Sequence, residues 1–369
     1  MQVTAAVARS RGEPFSIEEL ELDEPRDDEV VVRIVAAGVC HTDLFIRDGH
    51  YPTPFPSVLG HEGAGVVEAV GRSVRKVRPG DHVALSFGSC GQCGSCQRGR
   101  PGYCLDFWGS NFGCARQDGS TTLARGGEPV HGRFFSQSSF ATHALATVRN
   151  VVKVPEDAPL ELLGPLGCGI QTGAGTVLNA LKPPPGSTLV VFGCGSVGLS
   201  SVMAAPLTGA TTIVAVDVND DRLALAGELG ATHTVNPRDG DPVEQVREAT
   251  GGGGAAFAVE ATGLPEVLRQ AVDCLSAGGT AAVVGAAPIG AEVALDMSTI
   301  LALGRTVRGV VEGDSVPDVF IPALIELYRQ GRFPFDRLVT FYDFEELNRA
   351  ADDSEAGRVV KPIVRMPGA

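Results

Sequence analysis

The chain has 369 residues, too many for one typical domain and comfortable for two. Hydrophobic residues make up 44% and charged residues 20%, a composition that builds a core and excludes disorder. The 44 acidic residues outnumber 30 lysines and arginines for a formal net charge of −14, which excludes a broad nucleic-acid or anionic-membrane surface, since both need clustered positive charge.

The opening residues, MQVTAAVARS, lack a basic start followed by a long apolar run. No stretch approaches the roughly 18–20 apolar residues that span a bilayer, so the expectation is a cytoplasmic protein without a membrane segment. Up to about residue 170 the chain carries short β-like runs, among them 29–35 and 65–70. Loops over 86–114 and 117–132 are rich in glycine, cysteine and polar residues, with little periodicity. From about residue 187 the pattern becomes βαβ. Strands are predicted at 188–192, 212–216, 257–259 and 280–284, and helices after the first glycine turn and over 222–229 and 265–275. Such alternation implies a doubly wound parallel sheet. Pro206 falls inside the first of these helices, where a kink or an early end is expected. Over 317–330, Phe320, Leu324, Leu327 and Tyr328 recur at helical spacing, and 358–364 is strand-like. This tail is expected to return to the first region, giving a discontinuous domain of 1–169 with 313–369 around a second domain of 170–312.

Nine cysteines require a reason in a protein without a secretory start. Cys90, Cys93, Cys96 and Cys104 form C-x2-C-x2-C-x7-C. Four thiolates at this spacing can close a tetrahedral shell around Zn2+, and Gly91, Gly94 and Gly99 let the loop wrap the ion. Disulfides or unrelated buried thiols are the alternative, which the spacing and the compartment disfavour. A closed four-sulfur shell has no room for substrate, so this zinc would be structural.

Gly193-Cys194-Gly195-Ser196-Val197-Gly198 reads G-x-G-x-x-G directly after the predicted strand at 188–192, and the next strand ends at Asp217. This is the arrangement of a dinucleotide-binding turn. Gly193, Gly195 and Gly198 permit the tight turn, and the helix opened by Ser196 and Val197 offers free N–H groups to a pyrophosphate. Asp217 would accept from the ribose hydroxyls and repel a 2′-phosphate, so NAD is expected rather than NADP.

Cys40, His61 and Cys168 offer two sulfurs and an imidazole, a set that leaves one open position on a tetrahedral zinc. Their separation along the chain does not itself bring them together, and each has a bland reading as a buried filler. In order, however, GVCHTD (38–43), GHEGAGVVEAVG (60–71), the four-cysteine loop and the glycine turn resemble the medium-chain zinc alcohol dehydrogenases along essentially the whole chain. That resemblance implies a Rossmann-type cofactor domain plus a discontinuous, β-rich, GroES-like catalytic domain, and two zinc ions per subunit. It implies that Cys40, His61 and Cys168 hold the catalytic zinc, that Asp43 backs the histidine, and that Glu62 lies close to the metal. It further places Arg222 near the adenosine ribose and His41 and Lys361 near the pyrophosphate, and it makes Thr42 the hydroxyl that receives the alcohol proton. Liver-type members carry a histidine three residues after that hydroxyl, where this chain has Phe45. A phenyl ring carries no proton, so the relay must end differently.

The segments LGPLGCGIQTGAGTVLN (163–179) and 310–344 look most like the aryl-alcohol, or benzyl-alcohol, dehydrogenases within the family. Phe87 and Trp108 are candidates for an aromatic pocket wall. The expected activity is NAD-dependent oxidation of aromatic or allylic primary alcohols to aldehydes, and the reverse. The alternatives are a glutathione-dependent formaldehyde dehydrogenase, which Trp108 in place of a basic residue disfavours, a short-chain aliphatic alcohol dehydrogenase, and a non-catalytic NAD-binding member. The expected partner besides a small alcohol or aldehyde is a second copy of the chain, as a homodimer or homotetramer, and neither nucleic acid nor membrane.

Overall fold

Glu29–Gly38, the most continuous apolar run of the N-terminal region, is buried along nearly its whole length and organises the first sheet. The computed structural model describes residues 1–368. Around this strand lies a seven-stranded sheet in the order Val151–Lys153, His82–Leu85, Gly63–Val70, Glu29–Gly38, Lys361–Arg365 and Val339–Asp343, with His143–Thr147 also paired to Glu29–Gly38. Gly65 is required where two of these strands meet, because a Cβ there would lie 2.1 Å from the Arg33 carbonyl. A five-stranded sheet runs Ser57–Val58, Gln2–Ala8, Ser16–Leu22, Leu123–Arg125, Glu128–Val130. In Ser16–Leu22 the alternation of exposed and buried positions marks a strand with one solvated face.

The C-terminal region holds a six-stranded sheet, parallel throughout. Its spatial order is His233–Val235, Thr212–Val216, Thr188–Phe192, Ala255–Glu260, Leu275–Val283, Thr306–Gly309. Numbered along the chain, that is 3-2-1-4-5-6, the doubly wound order whose switch point lies beside the first strand. Helices Ser196–Thr208, Asp220–Glu228, Pro242–Ala249 and Pro265–Asp273 connect the strands. The helix expected to bend or stop at Pro206 continues to Thr208 and ends on Gly209 in the left-handed conformation. Pro206 lies in the last turn, where the helix is about to end and a local distortion has little helix left to disturb.

The chain divides into two compact units, 1–168 with 316–326 and 336–369, and 169–315 with 327–335. This division differs from the expected boundaries at three places. The first break falls one residue earlier, the return comes at 316 rather than 313, and residues 327–335 go with the sheet of parallel strands. The break between 326 and 327 lies inside helix Pro317–Arg329, whose apolar spacing gives no hint of a division. Among the described residues, no helix is long and apolar enough to cross a membrane.

Candidate active site and metal centres

Strand Glu29–Gly38 delivers Cys40 to the N-cap of the short helix His41–Arg47. His61 lies two residues before strand Gly63–Val70, with Glu62 between them, and Cys168 follows the turn Gly164–Gly167. These three, joined by Glu62, place one ligand atom each within 4.8 Å of one another. The chain thus gathers side chains from positions 40, 61, 62 and 168 into one cluster, as the motif resemblance implied.

His61 is fully buried. Its Nδ1 lies 2.8 Å from Asp43 Oδ1, which also accepts from the Gly60 N–H, while Oδ2 accepts from the Cys40 N–H. A carboxylate at Nδ1 fixes the tautomer with the proton there and leaves the Nε2 lone pair facing the sulfurs. That Nε2 is buried with no hydrogen-bond partner, an arrangement that costs free energy unless a ligand fills the place. The Cys40 thiol is held well below its ordinary pKa, first by the Cys168 thiol and then by the charges of Lys361 and His61, against the opposing pull of burial. Two sulfurs, one of them thiolate-prone, and an orphaned imidazole nitrogen are the donor set of an open zinc site.

Glu62 is wholly buried and paired with Lys361, whose Nζ lies 3.0 and 2.9 Å from its two oxygens and 3.3 Å from the Val39 carbonyl. Gly38 makes room for this carboxylate, because a Cβ at 38 would fall 2.1 Å from Glu62 Oε2. Burial raises the Glu62 pKa, with Lys361 opposing it. The family resemblance places Lys361 at a pyrophosphate; here the ammonium is 1% exposed and occupied by Glu62. The reason is electrostatic, since a buried carboxylate beside thiolates requires a cation.

Thr42 is half-buried at the start of helix His41–Arg47, and its Oγ1 accepts from Cys40 Sγ at 3.8 Å. Phe45 is buried and stacks on His50 with centroids 4.4 Å apart. Aromatic rings surround the cluster. Phe135 stacks on the His61 ring at 4.4 Å, Phe134 meets it edge-on at 5.4 Å, and Phe112, Tyr51 and Trp108 continue outward in mutual contact. Of the two wall candidates, Trp108 joins this group and is 55% exposed, whereas Phe87 is buried beside Phe107. Phe134, Phe135 and Tyr51 escape sequence reasoning; the adjacent phenylalanines at 134–135 are the one signal that could have found them.

Cys90, Cys93, Cys96 and Cys104 form a second cluster. All nine cysteines are free thiols, so the disulfide alternative falls. The Cys90 and Cys93 N–H groups donate to the sulfurs of Cys104 and Cys90 at 3.3 and 3.4 Å. Backbone N–H groups of Cys96 and Leu105 bring the Cys93 thiol down to about 6, while burial raises Cys104 to about 12. Gly91 turns the loop at φ +70, and the Arg149 guanidinium occupies the space a Cβ would take.

In the second unit, Gly193 adopts φ +90, and a Cβ on Gly198 would fall 1.7 Å from the Gly193 carbonyl. Gly195, the N-cap of helix Ser196–Thr208, has open space where its Cβ would be, a cradle that suits a phosphate against the helix N-terminus. Asp217 closes the turn, accepting from the N–H groups of Cys194 at 2.6 Å and Asn219 at 2.8 Å. The neighbouring Arg222 has a buried Nε without a partner, and His41 is exposed.

Residues 26–156 match the alcohol dehydrogenase GroES-like domain, and residues 196–329 match the zinc-binding dehydrogenase domain. The chain is 49% identical over 362 residues to a geraniol dehydrogenase from Castellaniella defragrans, covering 98% of this chain and 96% of the relative. Among solved structures it is similar to an alcohol dehydrogenase zinc-binding domain protein from Burkholderia ambifaria, with 57% identity, a TM-score of 0.98 and coverage of 100% and 99% of the two chains. A benzyl alcohol dehydrogenase from Acinetobacter calcoaceticus superposes with a TM-score of 0.96 at 50% identity, covering 99% of each chain.

Proposed function

Because this chain belongs to the zinc-dependent alcohol dehydrogenases, we propose that it oxidises aromatic or allylic primary alcohols to aldehydes with NAD, and catalyses the reverse. The observation that carries this reading is the orphaned Nε2 of His61 among Cys40, Cys168 and the Thr42 hydroxyl, next to a run of aromatic rings. When bound, a zinc on Cys40, His61 and Cys168 would supply Lewis acidity toward the alcohol oxygen, and the nicotinamide would accept the hydride.

The chain's own residues do the rest. Asp43 holds the His61 tautomer. Thr42 takes the alcohol proton and, with Phe45 in place of a histidine, passes it to water. Glu62 lies among the ligand atoms as a carboxylate available for ligand exchange, neutralised by Lys361. Phe135, Phe112, Tyr51 and Trp108 would present flat apolar surface to a conjugated substrate, which suits the names of the two relatives, geraniol and benzyl alcohol dehydrogenase. Cys90, Cys93, Cys96 and Cys104 hold a second, structural zinc. Gly193, Gly195, Gly198, Ser196 and Val197 cradle the pyrophosphate, and Asp217 and Arg222 meet the ribose. Nine free thiols fit a reducing compartment, the cytoplasm. The exposed Met297 and Leu301, with Val307 on edge strand Thr306–Gly309, favour a homo-oligomer, dimer or tetramer.

NADH formation with benzyl alcohol, geraniol, ethanol and the glutathione–formaldehyde adduct tests the substrate class. Benzyl alcohol or geraniol should exceed ethanol in kcat/KM by on the order of 100-fold; preference for ethanol or the adduct overturns the assignment. Two further outcomes are expected. Asp43→Asn should weaken metal binding at the Cys40 cluster by about 10- to 100-fold and leave the four-cysteine lobe loaded, measured by competition with a chelator. Asp217→Asn should narrow the preference for NAD over NADP by about tenfold, because one like charge near the 2′-phosphate is gone. An unchanged ratio of kcat/KM values would remove Asp217 from cofactor selection.

A further inference from the structure

Residues 133–139 form a strap with an unusual backbone. Four of the six residues 133–138, Arg133, Phe135, Ser136 and Ser138, have φ between 50° and 65°. L residues avoid this region because Cβ crowds the backbone, and a bulky phenylalanine there is a true outlier. Such conformations persist only where the surroundings over-determine them. Here they do. Ser138 Oγ donates to the Val58 carbonyl at 2.6 Å and accepts from the Phe134 N–H at 2.8 Å. Ser136 Oγ donates to the Ser110 carbonyl, and Arg133 pairs with the buried Glu29. The Ser139 N–H donates to the Gly60 carbonyl at 2.8 Å.

The inner side of the strap meets His61. The Phe135 ring lies nearly parallel to the imidazole, at 28° and 4.4 Å, and Phe134 stands against its edge at 89°. Gln137 is 1% exposed, and its amide joins three segments. Nε2 donates to the carbonyls of His61 at 2.9 Å and Ser86 at 3.1 Å, and Oε1 accepts from the Gly63 N–H at 3.1 Å. His61 is therefore held at Nδ1 by Asp43, on its ring face by Phe135, on its edge by Phe134 and at its carbonyl by Gln137. Nε2 alone has no partner.

We propose that this left-handed strap is a positioning device for the metal ligand His61, with Phe135 fixing the ring plane and Gln137 fixing the backbone that carries it. The proposal rests on the reading of Cys40, His61 and Cys168 as a metal site. Neither residue is catalytic; both act through His61. The backbone strain is what turns Phe135 inward, and the Gln137 bonds keep the strap from relaxing. A slack strap would let the imidazole rotate and loosen its hold on a metal without touching the four-cysteine lobe.

The test uses the purified full-length protein in the variants Gln137→Met, Phe135→Leu and Ser139→Ala. Release of metal to a chelator is followed for each cluster, and cobalt substitution gives a visible band that reports tetrahedral geometry. The Gln137→Met and Phe135→Leu variants should release the metal of the Cys40 cluster about tenfold faster or more, shift the cobalt band, and lower kcat with little change in KM. The four-cysteine metal should stay as in the parent, and the thermal midpoint should fall by no more than the few degrees that the lost Gln137 hydrogen bonds and the smaller ring cost. Ser139→Ala, in the same strap but with a hydroxyl lacking a partner, should match the parent. Unchanged release and an unchanged band in folded Gln137→Met and Phe135→Leu overturn the proposal, as does parallel loss of both metals with a larger fall in midpoint. Absence of metal from the Cys40 cluster in the parent itself overturns the metal-site reading and this proposal with it. Normal metal and indifferent variants overturn the strap alone.

Discussion

Thr42→Ala is expected to lower kcat by on the order of 10²- to 10⁴-fold while both metal clusters stay filled. The side chain sits at the second position of helix His41–Arg47, where alanine is the better helix former, so no loss of folding should confuse the reading. The local cap does not need it either. The capping box of this helix is made by Cys40 and Asp43, which leaves the Thr42 hydroxyl free for chemistry beside the Cys40 sulfur. Thr42→Ser keeps an acceptor in place and should retain most of the activity. Because Phe45 offers no base after the hydroxyl, the deficit of Thr42→Ala should shrink as pH rises and hydroxide takes the proton directly. Near-parent turnover in Thr42→Ala would show that the proton leaves by another route.

The second unit is legible in the sequence because each of its signals is local. The run Thr188–Phe192, the glycine turn and Asp217 lie within thirty residues, and a parallel sheet buried on both faces writes its strands as apolar runs. The first unit hides more. Leu123–Arg125 and Glu128–Val130 form a hairpin turning on Gly126 and Gly127, inside a stretch that reads as a loop, since strands this short have no measurable period. The open metal cluster is the intermediate case. Cys40, His61 and Cys168 carry no mutual spacing, and only the motifs around them name them together. Phe135 and Gln137 escape because left-handed backbone follows neither helical nor strand periodicity. The place of Lys361 is hidden for a different reason: its partner Glu62 lies 299 residues away, brought near by a sheet that pairs Ile363 with Gly38.

That pair supports the other substantial effect. Lys361→Met should destabilise the first unit by about 3–5 kcal/mol, the usual consequence of leaving one member of a buried ion pair alone. The charges explain why so much rests on one ammonium. Two thiolates and one imidazole around a divalent zinc would already be neutral, so Glu62 would add a net negative charge in a place with no exposure, which Lys361 would cancel. Methionine keeps roughly the volume and removes the charge together with its hydrogen bonds to Glu62 and the Val39 carbonyl. The pH dependence has a definite sign. The Glu62 carboxyl is already raised above its ordinary 4.5 by burial, and without Lys361 it rises further. A carboxyl with a raised folded pKa binds its proton more tightly in the folded state, so its favourable contribution is present below the ordinary value and is lost as pH climbs through the folded pKa. The Lys361→Met deficit should therefore be smaller at about pH 6 than at about pH 8.5, read as the difference in denaturation midpoint from the parent under each condition. Adding Glu62→Leu to Lys361→Met should restore most of the lost stability, because replacing both members with apolar groups leaves no charge unpaired. If Lys361→Met alone is neutral at both pH values, another group compensates Glu62, and the ammonium is not what balances the charge of the cluster.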